Sequence, residues 1–421
     1  MRHVIIGNSA AGVFAAEAIR RTRPTDTIII LTDEDVPAYS RCLTSYFIAG
    51  RVAEEEMTLR SPDFYQRYSI NVYYSCRVEG VDTSAARVYC TGGKTVDYDR
   101  LLVASGARPV IPNVPGIGAR GVHGLRTLQD ARAISSRAVP GTPAVVIGGG
   151  LVSLKAASSL LERRLQVTVV VSSSHILSQV LDGAAAAMLQ RRLEENGMRF
   201  LLQQDVAEVV SSGGEVTGVV LTSGARLPAC LVVVGKGVTP NINFLRDTPI
   251  VINRGVLVNE YLESSVTGVY AAGDVAEAHD LLLKEPAINA VWPNATTQGE
   301  LAGLNMAGEQ RTYRGSIAMN SLDFFGLSAI TAGLNRAEGD RYEVHAWHNA
   351  ARNHYRKLVF EGDRLVGYTL AGDTRQAGAL TSLILGEVRL GSRKEALIAG
   401  DRVLMVPYQT SFLPASTAVR I

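Results

Sequence analysis

The chain has 421 residues, of which 47% are hydrophobic and 19% charged, with a formal net charge of +2. That balance is globular and excludes a disordered chain, and the length exceeds what one hydrophobic core fills, so two or three domains are expected. Basic and acidic residues are interspersed, as in Glu162-Arg163-Arg164 and Arg191-Arg192-Leu193-Glu194-Glu195; this predicts solvated helix faces and excludes a nucleic-acid-binding stripe.

The first predicted element is an apolar strand, Val4-Ile5-Ile6, which meets Gly7-Asn8-Ser9-Ala10-Ala11-Gly12 and then an alanine-rich helix from Val13 to Arg20. A strand, a tight glycine turn and a helix leave backbone N–H groups at the helix start free to hold a pyrophosphate. Gly7, Ser9, Ala10, Ala11 and Gly12 are therefore dinucleotide-binding candidates, with Ser9 where the middle glycine of such turns falls. The next strand, Thr27 to Leu31, ends in Thr32-Asp33-Glu34, and an acid at Asp33 or Glu34 can accept hydrogen bonds from an adenosine ribose.

Because the motif starts at Gly7, a cleavable leader would destroy it, so a cytoplasmic location is expected. The apolar runs Ala144 to Ile147 and Leu231 to Val234 are of strand length, far short of the ~20 residues of a membrane helix. Cys42, Cys76, Cys90 and Cys230 form no CxxC pair and no metal-ligand spacing, so neither a disulfide scaffold nor a zinc site is expected. Cys76, Cys90 and Cys230 lie in or beside apolar runs and are expected to be inert.

A second strand–turn–helix motif follows, with Ala144 to Ile147 meeting Gly148-Gly149-Gly150-Leu151-Val152-Ser153-Leu154-Lys155. Its next strand, Val167 to Val171, ends without an acid and runs into Ser172-Ser173-Ser174-His175. Two such motifs imply two dinucleotides on two similar domains. Between them Leu101-Leu102-Val103 ends in Ala104-Ser105-Gly106, and late in the chain Val269-Tyr270-Ala271-Ala272 delivers Gly273 and Asp274, whose carboxylate can accept a ribityl hydroxyl. These early and late pieces make the first nucleotide domain discontinuous, with the second inserted into it.

This layout resembles the flavoproteins with two dinucleotide-binding domains, the pyridine nucleotide-disulfide oxidoreductases. Pro37-Ala38-Tyr39-Ser40-Arg41-Cys42-Leu43-Thr44-Ser45-Tyr46-Phe47 is similar to the flavin-contacting loop of NADH:rubredoxin reductases and of the FAD portion of assimilatory nitrite reductases. Asn320 to Leu327 resembles the start of their third domain. Trp292-Pro293-Asn294-Ala295-Thr296-Thr297-Gln298-Gly299 resembles the segment whose helix start faces the flavin pyrimidine, where it stabilises negative charge.

The resemblance implies an α/β fold of two Rossmann-like domains with a small C-terminal α+β domain. The implied FAD domain is 1–112 with 246–315, the NAD(P) domain 113–245, and the third domain 316–421. Paired strands are read in the last from Tyr355 to Phe360 and Leu365 to Ala371. The resemblance adds Arg41, Cys42, Val78, Arg126, Ala295 and Thr297 to the FAD contacts already named. For NADH or NADPH it implies Gly148, Gly150, Leu151, Val152, Ser172, His175 and Gly235. No metal is expected, His345 and His348 being read as surface residues and Trp292 as packing.

Departures from the family pattern matter. Ser153 replaces the third glycine of the second motif, Lys155 a glutamate, and Val171 the ribose-binding acid, which leaves NADH and NADPH both open. Relatives pair that glutamate with a lysine from the flavin loop, where this chain has Tyr46; Lys155 is therefore read as a cation near flavin N5. Cys42 aligns with the redox cysteine of CoA-disulfide reductases and NADH oxidases, and Arg41 beside it would favour a thiolate. Ala10, where peroxidase relatives carry histidine, and the rubredoxin-reductase pattern around Cys42 argue against that chemistry.

The implied function is an FAD-dependent NAD(P)H oxidoreductase that passes electrons through flavin to rubredoxin, ferredoxin or another small metalloprotein, as a monomer or homodimer. One alternative is a disulfide, persulfide, peroxide or oxygen reductase using Cys42. The other is a flavin-bound sensor or assembly factor whose nicotinamide site has decayed.

Overall fold

A computed structural model describes residues 1–337 and 339–400, and these form two compact units, one of residues 1–327 and one beginning at Ser328. The final stretch of the expected third domain, 401–421, lies outside the described residues.

The first unit is built on two parallel sheets. In one, the strands run in the order Val269–Ala271, Arg100–Val103, Arg2–Ile6, Thr27–Leu31, Ile70–Tyr73. In the other the order is Arg199–Leu202, Gln166–Val171, Pro143–Ile147, Leu231–Val234, Val122–Gly124. The Val/Ile/Leu runs of these strands are the near-continuous apolar pattern of sheets covered on both faces. A late strand, Val269–Ala271, joins the N-terminal sheet beside Arg100–Val103.

Helix α1 (Ala10–Thr22) packs on the first sheet, and α2 (Thr44–Ala49) and α3 (Phe64–Arg67) follow, the last placing the fully buried Phe64 in the core. Helices α4 (Leu128–Arg137), α5 (Leu151–Glu162) and α6 (Gly183–Glu195) belong to the second sheet, and α7 (Trp292–Met306) returns to the first. The α1–α7 pair is the tightest helix contact. A Cβ on Gly299 would fall 2.3 Å from the Ala11 carbonyl oxygen, and one on Gly303 2.5 Å from that of Ala15. Only glycine at both positions lets the backbones touch, which fixes where the two helix starts lie.

Helices α2 and α5 are also joined closely. Ser159 Oγ donates to the Ser45 carbonyl at 2.6 Å, Arg163 reaches the Ile48 carbonyl at 3.3 Å, and Arg51 forks onto Glu162. Glu162 and Arg163, expected on a solvated face, are thus structural, because α2 and the residues just after it pack over that side of α5. In the second unit, strands Leu327–Gly333, Arg364–Ala371, His354–Glu361 and Glu343–Asn349 lie in that order, antiparallel, with α8 (Ala377–Leu385) and α9 (Arg393–Ala399). The expected hairpin turns at Gly362-Asp363. His345 and His348 lie on the exposed strand Glu343–Asn349, where the His345 ring stacks on Trp347 at 5.8 Å.

Candidate functional site: one cleft for two nucleotides

A cleft of about 1460 Å³ opens along the first unit. It exceeds the ~300–1,000 Å³ of a pocket for one drug-sized ligand. Gly7, Ser9, Ala10 and Ala11 line it with Asp33, Glu34 and Val78. Arg41, Cys42, Ala104, Ser105, Gly106 and Arg126 form a further wall, and Gly273, Asp274 and Ala295 another. Leu151, Val152 and Lys155 of the second motif reach the same cavity.

Helices α1, α5 and α7 present uncapped N-termini to it, as does the short α2. The Ser9, Gly150 and Val291 positions preceding α1, α5 and α7 make no side-chain cap, and none of these helices carries an acid in its first turn. By contrast, α4 closes its first turn with a capping box between Thr127 and Asp130, and α6 with Asp182. Free first-turn N–H groups and the positive end of the helix dipole fit a pyrophosphate or a polarised flavin ring. The buried Asn8 amide nitrogen, also in the wall, has no partner among the described residues.

The turn itself is forced by contact. Gly7 has φ +117°, and a Cβ there would lie 2.2 Å from the Ala104 carbonyl oxygen; one on Gly12 would lie 2.0 Å from the Gly7 carbonyl oxygen. Gly12 therefore does not line the cleft but lets α1 start so close to the strand. Asp274 is held by Arg126 at 2.7 Å. Gly273 N–H donates to the buried Gln298 at 2.8 Å, which ties that turn to α7. Asn241 and Ser105 exchange hydrogen bonds of 2.8 and 3.0 Å and so brace the Ala104–Gly106 segment. Gln298 and Asn241 were not legible as site residues, because nothing in their local sequence marks a polar group that supports a turn distant in the chain.

Other expected residues are placed elsewhere. Thr297 is exposed on α7 and outside the cleft wall. Gly148 and Gly150 lie in the second turn, and Gly235, just past strand Leu231–Val234, packs against it, where Ser153 Oγ donates to the Gly235 carbonyl at 2.8 Å; the serine in the third-glycine position is thereby satisfied. Ser172 is exposed, Val171 is buried, and His175 Nδ1 contacts the Ile176 carbonyl at 2.9 Å. Trp292, expected only to pack, both packs on the first core and lines the cleft. Cys230 is exposed and lies directly beside strand Leu231–Val234, as its place next to an apolar run implied.

Cys42 sits on a short 3₁₀ turn, Arg41–Leu43, and is exposed to the cleft. Its thiol is pushed up from the ordinary range first by desolvation against the cleft walls and then by Asp274, while Ser40 and Arg126 pull it down. Arg41 does not favour a thiolate here, because its guanidinium points away onto Glu34 and the Arg126 carbonyl. Lys155 is also a surprise. Its amine donates to the Asp323 carbonyl at 3.1 Å, between the rings of Tyr46 at 5.7 Å and Phe324 at 5.2 Å. Burial lowers its pKa, with Asp323 opposing.

A cleft faced by two strand–turn–helix motifs has the architecture of a site for two nucleotides. The sequence profile described as "Pyridine nucleotide-disulphide oxidoreductase" matches residues 1–299, and that described as "Rubredoxin NAD+ reductase C-terminal domain" matches 319–388. The chain belongs to the pyridine nucleotide-disulphide oxidoreductase family, whose members use FAD and NADH or NADPH.

The chain is 31% identical to the assimilatory nitrate reductase electron transfer subunit of Bacillus subtilis, over 94% of this chain and 51% of that protein. It is 30% identical to the epsilon subunit of an NADH-dependent phenylglyoxylate dehydrogenase of Aromatoleum evansii, over 94% of each. The solved structure of a NAD-dependent persulfide reductase from A. fulgidus superposes with a TM-score of 0.85 at 25% identity, covering 93% of this chain and 78% of that one. The chain spans about half the length of the Bacillus subtilis relatives it matches. Among the described residues no helix is long and apolar enough to cross a membrane.

Proposed function

We propose that the chain takes reducing equivalents from NADH or NADPH into FAD and passes them to a small rubredoxin-, ferredoxin- or other metal-bearing protein in the cytoplasm. The observation that carries this reading is the convergence of the uncapped starts of α1, α5 and α7 on one cleft. The α1 turn would hold the FAD pyrophosphate, with Asp274 taking the ribityl chain and the start of α7 facing the pyrimidine. Leu151 and Val152, behind Gly148 and Gly150, would bring the nicotinamide to the flavin, with Ser172, His175 and Gly235 toward its adenosine half. FAD, when bound, supplies hydride acceptance and single-electron release.

The electron-acceptor reading is supported by the second profile match, at 319–388, and by a relative described as an electron transfer subunit. The domain limits 1–112 with 246–315, 113–245 and 316–421 belong to the same proposal, and so does a homodimer. Anaerobic rapid mixing of the FAD-loaded protein with NADH, and separately with NADPH, should bleach the flavin band. Absence of bleaching with both would leave the flavin-bound sensor reading.

A second reading has its own observation, the Cys42 thiol exposed to the cleft wall. In that reading the Cys42 thiolate would attack one sulfur of a disulfide or persulfide held in the cleft, breaking its S–S bond and expelling the other sulfur as a thiolate. Two electrons from NADH or NADPH would then return Cys42 to the thiol. Cys42→Ser separates the two: it should spare reduction of ferricyanide or a quinone, and abolish disulfide or persulfide turnover only if the second reading holds.

A further inference from the structure

Asp33 and Glu34 are adjacent acids at the end of strand Thr27–Leu31, and the sequence leaves either to bind the adenosine ribose. The structure separates them. Glu34 is committed on both oxygens, with Tyr39 donating its hydroxyl hydrogen to Oε2 at 2.7 Å and Arg41 Nη2 pairing with Oε1. The buried Tyr39 oxygen in turn accepts the Leu128 N–H at 2.7 Å, and the other arm of Arg41 donates to the Arg126 carbonyl at 2.8 Å. Tyr39 and Leu128 also share a small apolar cluster with Met57. Asp33, one residue away, is exposed, lines the cleft and accepts no hydrogen bond among the described residues.

We propose that Glu34 is a positioning residue that latches the Cys42 loop to the start of α4, and that Asp33 alone takes the ribose. The connections run from one sheet to the other. Glu34 lies three residues past strand Thr27–Leu31 of the first sheet, whereas Arg126 and Leu128 join strand Val122–Gly124 of the second sheet to α4. Arg126 is thus fixed twice, at its carbonyl by Arg41 and at its guanidinium by Asp274. Removing the Glu34 charge would leave a half-buried guanidinium without its carboxylate, which favours release of Arg41 and of Cys42 beside it. The Asp33 half rests on FAD occupying the cleft, as proposed above; the latch does not require any nucleotide.

The experiment compares Asp33→Asn, Glu34→Gln and Tyr39→Phe with the parent chain. Tyr39→Phe keeps the ion pair while removing both the hydrogen bond to Glu34 and the one from the Leu128 N–H, and so serves if Glu34→Gln does not accumulate. Two quantities are read: FAD affinity by fluorescence titration of the flavin-stripped protein, and the rate and pH profile of Cys42 alkylation by iodoacetamide without nucleotide, located by peptide mass. Asp33→Asn should weaken FAD about tenfold and leave the alkylation rate within about twofold. Glu34→Gln should keep FAD within about threefold yet raise alkylation about fivefold or more, with its pH profile moved toward that of a free thiol; Tyr39→Phe should do so less strongly. FAD lost by Glu34→Gln with alkylation unchanged would make Glu34 the ribose ligand and overturn the assignment. Unchanged alkylation in both latch variants would also overturn it. A parent chain that binds no FAD would sink the proposed function, while the alkylation rates would still decide the latch.

Discussion

Gly299→Ala offers a sharp test of how the site is positioned, because its two effects have opposite signs and known sizes. Replacing a helix-interior glycine by alanine ordinarily stabilises a helix by about 1 kcal/mol. Here the new Cβ would meet the Ala11 carbonyl oxygen at 2.3 Å, its Cα at 2.7 Å and its carbonyl carbon at 2.8 Å. All three are main-chain atoms, so no rotamer change relieves the clash, and α7 must move about 1 Å off α1. Overpacking of this kind costs about 1–3 kcal/mol, and the upper part of that range applies when backbone is the obstacle. The net expectation is destabilisation by about 1–2 kcal/mol. Gly183→Ala, where a Cβ at the start of α6 meets nothing within 4 Å, should be neutral or stabilising by up to about 1 kcal/mol. Urea unfolding of the two variants beside the parent supplies the measurement, and FAD content should fall only for Gly299→Ala, because α1 carries the glycine turn. Equal stability for the two variants would refute the claim that backbone contact places these helices.

The remaining expectations concern single side chains. His3 is fully buried; burial lowers its pKa below 6.5, against the opposing hydrogen bond that its ring donates to Asp26 at 2.9 Å. The unfolded chain then binds the extra proton, so His3 contributes stability that is present above about pH 6.5 and lost as pH falls through the folded value, at no more than about 1.4 kcal/mol per pH unit. Unfolding titrations at pH 7.5, 6.5 and 5.5 should show that slope, and His3→Gln should flatten it; equal slopes would exclude His3 as its source. Lys155→Met should lower the stability of the loaded protein, by removing the bond to Asp323, and leave FAD content unchanged. A fall in flavin potential without loss of stability would instead restore Lys155 as a cation acting on flavin. Asp274→Ala should reduce FAD content measured after acid release, and a full complement would remove Asp274 from the site.

Much of this architecture is written locally. The turn at Gly7 and Gly12 is legible because steric contact with Ala104 and with the turn itself demands glycine, and the strands that flank it are unbroken apolar runs. The absence of caps can also be read, since neither Gly150 nor Val291 offers a side-chain acceptor and no acid follows in the first turn of α5 or α7. What the sequence does not show is where side chains with several possible partners point. Arg41 beside Cys42 suggests a thiolate until the structure turns the guanidinium onto Glu34 and the Arg126 carbonyl, residues brought close only by the fold. Lys155 keeps a position at the cleft wall but spends its amine on the Asp323 carbonyl, far away in the chain. Glu162 and Arg163 look solvated on a helix, yet the Ile48 carbonyl of α2 and Arg51 just after it wait for them. Main-chain constraints act within a few residues and leave a local trace, whereas charged side chains are placed by distant backbone. The nucleotide frame follows from the first kind. The roles of Cys42, Glu34 and Lys155, which decide what the electrons do next, depend on the second and call for the substitutions described here.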